Sequence, residues 1–318
     1  MSAITRINSR LSLFDRLGAM MVRLSFNRSD YAVEPGLYAL NNPTPDSPVF
    51  VSANYKLSFD IVRSSLLGFG AWILVLDTKG VNVWCAAGRG TFGTVELVNR
   101  IKLTELDKVV GHRKVIVPQL GATGIAAHEV ASLSGFQVVY GPVRAEDLPA
   151  FIHDNFKVSG EMRQVRFNLK DRLTLVPVEV VHYSKYLFLL LFFFLLLSCF
   201  FKVDPWLAVI NLVVAYLCGT VLGPALLPAI PGRSFAMKGA LLGLAGIIFT
   251  VSRLALFDQL AWLLLMSTIS SYLLMNFTGS STYTSPSGVQ KEMRLAVPLQ
   301  IAGLALGIIL YIAARIIG

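Results

Sequence analysis

The sequence predicts two parts: an α/β domain on a largely parallel sheet over residues 1–182, and an all-α transmembrane domain of about five helices over residues 183–318. Two patterns carry this reading. Short apolar runs alternate with helical periodicities through the first part, as in a sheet covered by helices on both faces. From Tyr183 onward there are five apolar stretches, at about 184–203, 206–229, 234–251, 255–277 and 295–317. Each is near the ~20 residues that cross a bilayer as a helix. Composition agrees, since 54% of the residues are hydrophobic and only 15% charged, against about a quarter charged in a soluble domain.

Taken in order, residues 1–30 read as an amphipathic helix or a poorly ordered arm, and Pro43, Pro45 and Pro48 punctuate a loop. From Asn54 apolar residues fall at helical spacing to about Leu67, and Gly68 and Gly70 end that helix. Trp72–Leu76, Val81–Trp84, Val115–Val117 and Gln137–Tyr140 read as buried strands. Thr91–Ile101, Gly124–Leu133 and Glu146–Phe156 read as helices, and Val165–Leu169 with Leu173–Val178 reads as an edge hairpin leading to the membrane. Ligands of such sheets sit in the loops at strand C-terminal ends.

In the second part Leu187–Phe201 is almost unbroken Leu and Phe, and Pro224, Pro228 and Pro231 crowd the end of the second stretch. With the N-terminus inside, Lys185, Arg233, Lys238, Lys291 and Arg294 flank the cytoplasmic side, against Lys202, Arg253 and Arg315 outside. This bias favours a multi-pass protein of the cytoplasmic (inner) membrane, with the first domain in the cytoplasm. The 278–294 loop then faces the cytoplasm.

The net charge is +9, but basic residues are scattered and no basic patch is interleaved with aromatics, so nucleic acid is not the expected partner. Met1–Arg28 lacks the apolar core of a signal peptide. Of three cysteines, Cys199 and Cys218 lie in apolar stretches, where Cys acts as a small hydrophobe. Cys85 stands alone in the first domain, with no CxxC pair, which fits a reducing compartment.

The informative stretch is Val81-Asn82-Val83-Trp84-Cys85-Ala86-Ala87-Gly88-Arg89-Gly90-Thr91-Phe92-Gly93. Gly88, Gly90 and Gly93 spell the dinucleotide fingerprint GxGxxG. That fingerprint needs an acidic residue ending the next strand, and Val115–Val117 runs into Pro118-Gln119 instead. What remains is a Cys at a strand-to-loop turn followed by small residues, which leave room for something large and flat. A lone Cys is also commonly an inert core residue. A nucleophile would need a histidine base, and His112, His128, His153 and His182 fall in no recognisable Cys-His motif.

The run Asn82–Gly88, followed by a basic residue, closely resembles the signature of the HgcA family, the corrinoid proteins of the mercury-methylation pair. The first domain is similar to the corrinoid-binding domain of the corrinoid iron–sulfur protein of acetyl-CoA synthesis. Pro118–Ala122 and Asn276–Gly279 also resemble family landmarks, and the resemblance covers nearly the whole chain. One departure is visible: Arg89 stands where the family usually has Lys. Both are cations, but they hydrogen-bond differently, Arg through a planar fork and Lys as a point charge.

The resemblance implies a Rossmann-like corrinoid-binding domain whose cobalt takes Cys85 as its lower axial ligand. Asn82, Val83, Trp84, Ala86, Ala87, Gly88, Arg89 and Gly90 would line the cofactor. Gln119, Gly121 and Ala122 would cradle it from a second strand end, and Asn54–Phe59 would add a further wall. A thiolate is a soft, strongly donating ligand, which favours departure of the methyl group as a carbanion equivalent or a radical. The implied acceptor is Hg(II), giving methylmercury. A single Cys cannot hold an iron–sulfur cluster, so the implied electron donor is a ferredoxin-like protein, HgcB, with two 4Fe–4S clusters. The implied methyl source is a methyltetrahydrofolate-linked methyltransferase. Two alternatives remain open: a corrinoid carrier of the same fold with another acceptor, and a membrane transporter or sensor with a cytoplasmic domain. The second would need polar residues inside the membrane, and Lys238, Asp258, Gln259 and Ser267 are the candidates.

Overall fold

The computed structural model describes residues 4–24, 26, 30–201, 205–250 and 255–317. The chain divides into two compact units, Met1–Val165 and Arg166–Gly318.

The first unit runs β1 (Thr5–Ile7), α1 (Leu13–Arg23), β2 (Gly36–Leu40), β3 (Val49–Ala53), α2 (Lys56–Ser65), β4 (Ala71–Leu76), α3 (Val83–Arg89), α4 (Thr94–Leu103), α5 (Leu106–Val109), β5 (Lys114–Val117), α6 (Ala127–Ser134), β6 (Gln137–Tyr140) and α7 (Leu148–His153). Its six strands form one mixed sheet in the order β1-β2-β4-β3-β5-β6. Only β2 and β4 pair antiparallel; the other neighbours are parallel. Strands buried on both faces read as continuous apolar runs, and β3 and β4 are buried at every position. Their side chains alternate between two cores. Val49, Val51, Leu74 and Val115 pack with Leu97 and Ile101 of α4 and Val130 of α6. Phe50, Ile73, Val75 and Ile116 pack with Phe59 of α2 and Phe151 of α7.

Two sequence expectations change here, and of the two alternatives for residues 1–30 the amphipathic helix is present as α1. Val81–Trp84 is no strand: Asn82 caps α3, its Oδ1 accepting the Cys85 N–H at 3.0 Å. Val165–Leu169 and Leu173–Val178 form no hairpin. Asn168 and Asp171 instead build a reciprocal cap, at 3.1 and 3.0 Å, on a helix beginning at Leu169. Within residues 1–30 the described part includes both a strand and a held helix. Asp15 of α1 pairs with Lys56 and Arg63 of α2, at 2.5 and 2.8 Å, and Asp60 completes the cluster at 2.6 and 2.7 Å. Burial alone would raise the Asp15 carboxyl, but hydrogen bonds from Lys56, Ser12 and Arg63 outweigh it and hold the group well below the usual carboxylate range.

The second unit is helical: α8 (Leu169–Phe201), α9 (Pro205–Leu217), α10 (Gly223–Leu226), α11 (Phe235–Gly246), α12 (Leu256–Asn276) and α13 (Pro286–Ile317). The expected division at residues 182 and 183 falls inside α8. Among the described residues four helices, not five, are long and apolar enough to cross a membrane. They are Leu169–Phe200, Pro205–Leu226, Leu256–Gly279 and Ser287–Ile316. The expected span at 234–251 is the shorter apolar helix Phe235–Phe249. A π-helical turn, Cys218–Leu222, joins α9 to α10. The expected 278–294 loop is mostly helix, because α13 starts at Pro286. Lys202 and Arg253, on the expected outer flanks, lie outside the described residues.

Backbone approach dominates the helix packing. A Cβ at Gly239 would lie 2.5 Å from the Ser270 carbonyl oxygen, and one at Gly243 2.4 Å from that of Met266. Gly239 and Gly243 are four residues apart, the small-xxx-small spacing that lets helices in lipid approach closely. One buried carboxylate is paired: Arg315 reaches both carboxylate oxygens of Asp258 at 2.8 Å. Cys199 is exposed on α8, whereas Cys218 is buried.

Candidate functional site

In the parallel part of the first unit the chain steps from β3 outward to β4, then crosses back to β5 on the other side of β3. Adjacent loops leave the sheet in opposite directions at such a reversal, and the crevice beyond the strand C-termini is where open α/β sheets take ligands. A cleft of about 330 Å³ lies there. Ser52 of β3, Ile61 of α2, Asn82 and Trp84 of α3, Pro118 and Leu120 after β5, and Pro142 after β6 line it.

Beside the cleft, α3 presents two different faces. Ala86 and Ala87 are buried in the core. Trp84, Cys85, Gly88 and Arg89 are exposed, with Trp84 retaining 49% of its surface. Residues three and four apart share a helix face, so Cys85 lies next to Gly88 and Arg89. A Cβ added at Gly88 or Gly90 would meet nothing within 4 Å. The backbone beside the thiol is therefore open. Gly90 ends the helix in the left-handed region, at φ +80°.

The loop after β5 is bound to the far end of α3. Gln119–Gly121 forms a 3-10 turn, with Gln119 and Ala122 half-buried. A Cβ at Gly121 would strike the Phe92 ring at 2.4 Å, and one at Gly124 would lie 2.2 Å from the Phe92 carbonyl oxygen and 3.2 Å from Ala87 Cα. The Thr94 N–H donates to the Gly124 carbonyl at 3.1 Å, and the Ala126 N–H to Thr94 Oγ1 at 2.8 Å. Gly121 and Gly124 thus serve close packing beneath the site.

The structure therefore brings Asn82, Val83 and Trp84 into one cleft with the post-β5 loop, and puts Cys85, Gly88 and Arg89 on the adjoining open face. It turns Ala86, Ala87 and Gly121 inward. The glycine fingerprint dissolves on inspection: Gly88 and Gly90 close one helix and Gly93 opens the next, so no strand precedes the glycines. Of the first unit's histidines, His128 is exposed on α6, 4.0 Å from Glu129, and the other two are engaged elsewhere. His112 contacts the Ser47 carbonyl at 3.0 Å and the Lys114 N–H at 3.3 Å, and His153 packs edge-on against Phe69.

Sequence reasoning missed one residue that organises the site. Asn54, expected to form a wall, is buried and acts on the loop ahead of α3. Its Oδ1 accepts from the Thr78 N–H at 3.1 Å, the Thr78 hydroxyl at 2.8 Å and the Gly80 N–H at 3.0 Å. Thr78 Oγ1 also contacts the Val81 carbonyl at 2.7 Å. An Asn at the end of an apolar run, level with a Thr-Lys-Gly turn, was the available signal. No three His, Cys, Asp or Glu side chains among the described residues gather into a metal site. Cys85 is a lone soft donor, suited to a metal that brings its other ligands with it.

Residues 24–152 match the family described as CO dehydrogenase/acetyl-CoA synthase delta subunit. The acetyl-CoA decarbonylase/synthase complex subunit gamma of Archaeoglobus fulgidus is 33% identical over 142 residues, covering 42% of this chain and 30% of that protein. The gamma subunit of Methanopyrus kandleri is 31% identical over 127 residues, covering 39% and 27%. That of Methanocaldococcus jannaschii is 30% identical over 131 residues, covering 41% and 26%. The chain thus spans less than a third of the length of these relatives, and the family match falls wholly within the first unit. This similarity agrees with the expected likeness of the first domain to a protein of acetyl-CoA synthesis.

Proposed function

We propose that this chain is a membrane-held corrinoid methyl carrier of the HgcA type, with a Rossmann-like first domain, whose Cys85 thiolate ligates cobalt and whose methyl acceptor is Hg(II). The observation that carries the reading is the open face of α3. An exposed thiol stands beside an unobstructed glycine backbone, at the mouth of a cleft where the sheet reverses direction. Similarity to acetyl-CoA decarbonylase/synthase subunits over the same residues supports it.

The residues fit such a group. Cys85 offers one soft donor, and Gly88 and Gly90 leave the space that a macrocycle edge would need. When bound, the corrinoid supplies a transferable methyl group and a redox-active cobalt. The chain does the rest. Coordination would keep the Cys85 sulfur deprotonated. Asn82 fixes the turn that carries it, and Trp84 shields one side from water. Arg89, one turn along, supplies a cation near the thiolate. The apolar cleft past Trp84 and Leu120 would take a pendant portion of the ligand.

The four long apolar helices would hold the carrier at the inner membrane, with the first unit in the cytoplasm. The chain lacks a cluster-binding cysteine set, so a ferredoxin-like partner of the HgcB kind would supply electrons. A methyltetrahydrofolate-linked methyltransferase would supply the methyl group. Membranes holding this chain and the partner, given Hg(II) and the methyl donor system, should form methylmercury; none above background would sink the mercury assignment.

A second reading keeps the corrinoid and changes the acceptor to a carbon-fixing enzyme, favoured by the acetyl-CoA decarbonylase/synthase relatives. Methyl transfer to an acetyl-CoA synthase centre, with no methylmercury formed, would select it.

A further inference from the structure

The helical unit contains a cavity that the carrier reading does not use. It measures about 1020 Å³ and lies among α11, α12 and α13. Its walls differ from end to end. One end carries three cations, Arg233, Lys238 and Lys291, against a single lining carboxylate, Glu292. That carboxylate is already engaged: it accepts from Ser234 Oγ at 3.0 Å and from the Ala236 N–H at 2.6 Å. Lys238 is buried, and its ammonium donates to the Leu227 carbonyl at 2.5 Å. Among the described residues no carboxylate pairs with it. A buried ammonium facing only a carbonyl lacks the counter-charge that such groups normally have.

The other end is apolar, with Leu295 and Leu299 along α13. Deeper in, Gln300 is only 7% exposed. Its Nε2 donates to Ser271 Oγ at 2.9 Å, while its Oε1 has no partner. Thr268 and Gln300 also line a second, largely apolar groove of about 370 Å³ with Leu190, Leu212 and Leu304. The two spaces therefore adjoin at these polar residues.

We propose that this cavity binds an anionic phospholipid, its phosphate among Arg233, Lys238 and Lys291 and an acyl chain running past Leu299 toward the second groove. The shared chemistry is phosphate recognition by clustered cations. Basic pockets between membrane helices take lipid head groups in this way. A free phosphate would satisfy the cations but leave the apolar length unfilled, which favours the amphiphile. The proposal is independent of the corrinoid reading.

The test uses the full chain in mild detergent, with phosphatidylglycerol or phosphatidylcholine added at equal ratio. Native mass spectrometry reads retention and thermal unfolding reads stabilisation. Phosphatidylglycerol should be retained in preference and should raise the melting temperature. Arg233→Gln and Lys291→Gln, both at exposed positions, should each weaken retention about fivefold. Glycerol 3-phosphate alone should have no effect. Equal retention of the two lipids would overturn the proposal. So would wild-type retention by the folded double variant. Stabilisation by glycerol 3-phosphate equal to that by phosphatidylglycerol would assign the cavity to a soluble phosphate compound instead.

Discussion

Asn54 and Thr78 are joined twice through one oxygen: Asn54 Oδ1 accepts both the backbone N–H and the hydroxyl of Thr78, at 3.1 and 2.8 Å. With Gly80 as third donor at 3.0 Å, this buried amide fixes the turn from which the Cys85 helix departs. Asn54→Ala would strand the Thr78 and Gly80 N–H donors, while the Thr78 hydroxyl keeps the Val81 carbonyl, and should destabilise the chain by about 1–3 kcal/mol, the cost of unsatisfied buried groups. Urea denaturation would measure that loss. Corrinoid uptake by the still-folded variant should fall as well; wild-type uptake would mean that the turn does not position the site.

Cys85 is exposed and supports no core contact, so Cys85→Ala and Cys85→Thr should leave folding and membrane insertion intact. Both should reduce methyl transfer to background. The visible spectrum of the cobalamin-loaded protein should change with them, since the thiolate ligand is gone. Activity like that of the wild type in either variant would refute cobalt ligation by this sulfur.

The Asp15, Asp60, Lys56 and Arg63 cluster predicts a pH dependence. The Asp15 carboxyl is held below its ordinary value of 3.8 by its hydrogen bonds to Lys56, Ser12 and Arg63. A depressed folded value means that its stabilisation is full above 3.8 and is lost as pH falls through the folded value. Asp15→Asn should therefore lower stability at neutral pH and flatten the acid limb of a circular dichroism titration. Asp60 is the most buried member, with its side chain 3% exposed. Asp60→Ala should cost about 3–5 kcal/mol, as breaking a buried pair does.

Gly124→Ala would push a methyl to 2.2 Å from the Phe92 carbonyl oxygen. Backbone on both sides leaves little room to yield, so a loss of about 1–3 kcal/mol or more is expected. Thermal melting would check it, and Gly88→Ala, facing open space, is the contrasting control. If Gly88→Ala alone impairs corrinoid uptake, the open face rather than the packing beneath it meets the ligand.

Gly243→Val should separate α11 from α12, because its Cβ would lie 2.4 Å from the Met266 carbonyl oxygen. The melting temperature in detergent should drop and protease sensitivity should rise between these helices. An unchanged melt would mean that close backbone approach contributes little to their association.

Legibility in the sequence differed by element. β4, β5 and β6 could be read because each is a dense apolar run between turn residues. β2 and β3 could not: Gly36, Ala39 and Ser52 dilute their pattern, and three prolines between them suggested loop throughout. Val83 and Trp84 looked like a strand because a β-branched and an aromatic residue follow Val81. The Asn82 cap and the Gly90 stop, both visible in the sequence, mark a helix instead. Cys85 and its neighbours could be singled out as a candidate site because they are contiguous. Asn54 and the glycines at 121 and 124 act across the fold on Thr78, Phe92 and Ala87, which no local pattern encodes. The start of α8 was hidden by Pro177, which reads as a breaker but is accommodated inside the helix.

The short helix α11, with the turn that extends it to Phe249, rises about 22 Å at 1.5 Å per residue. A bilayer's hydrocarbon is about 30 Å thick. In a bilayer crossed by the four longer helices, lipids beside this helix would have to compress or tilt to meet it, at a cost that grows with each ångström of mismatch. The protein should therefore carry a dimple of thinned bilayer on one side and partition toward thinner membranes.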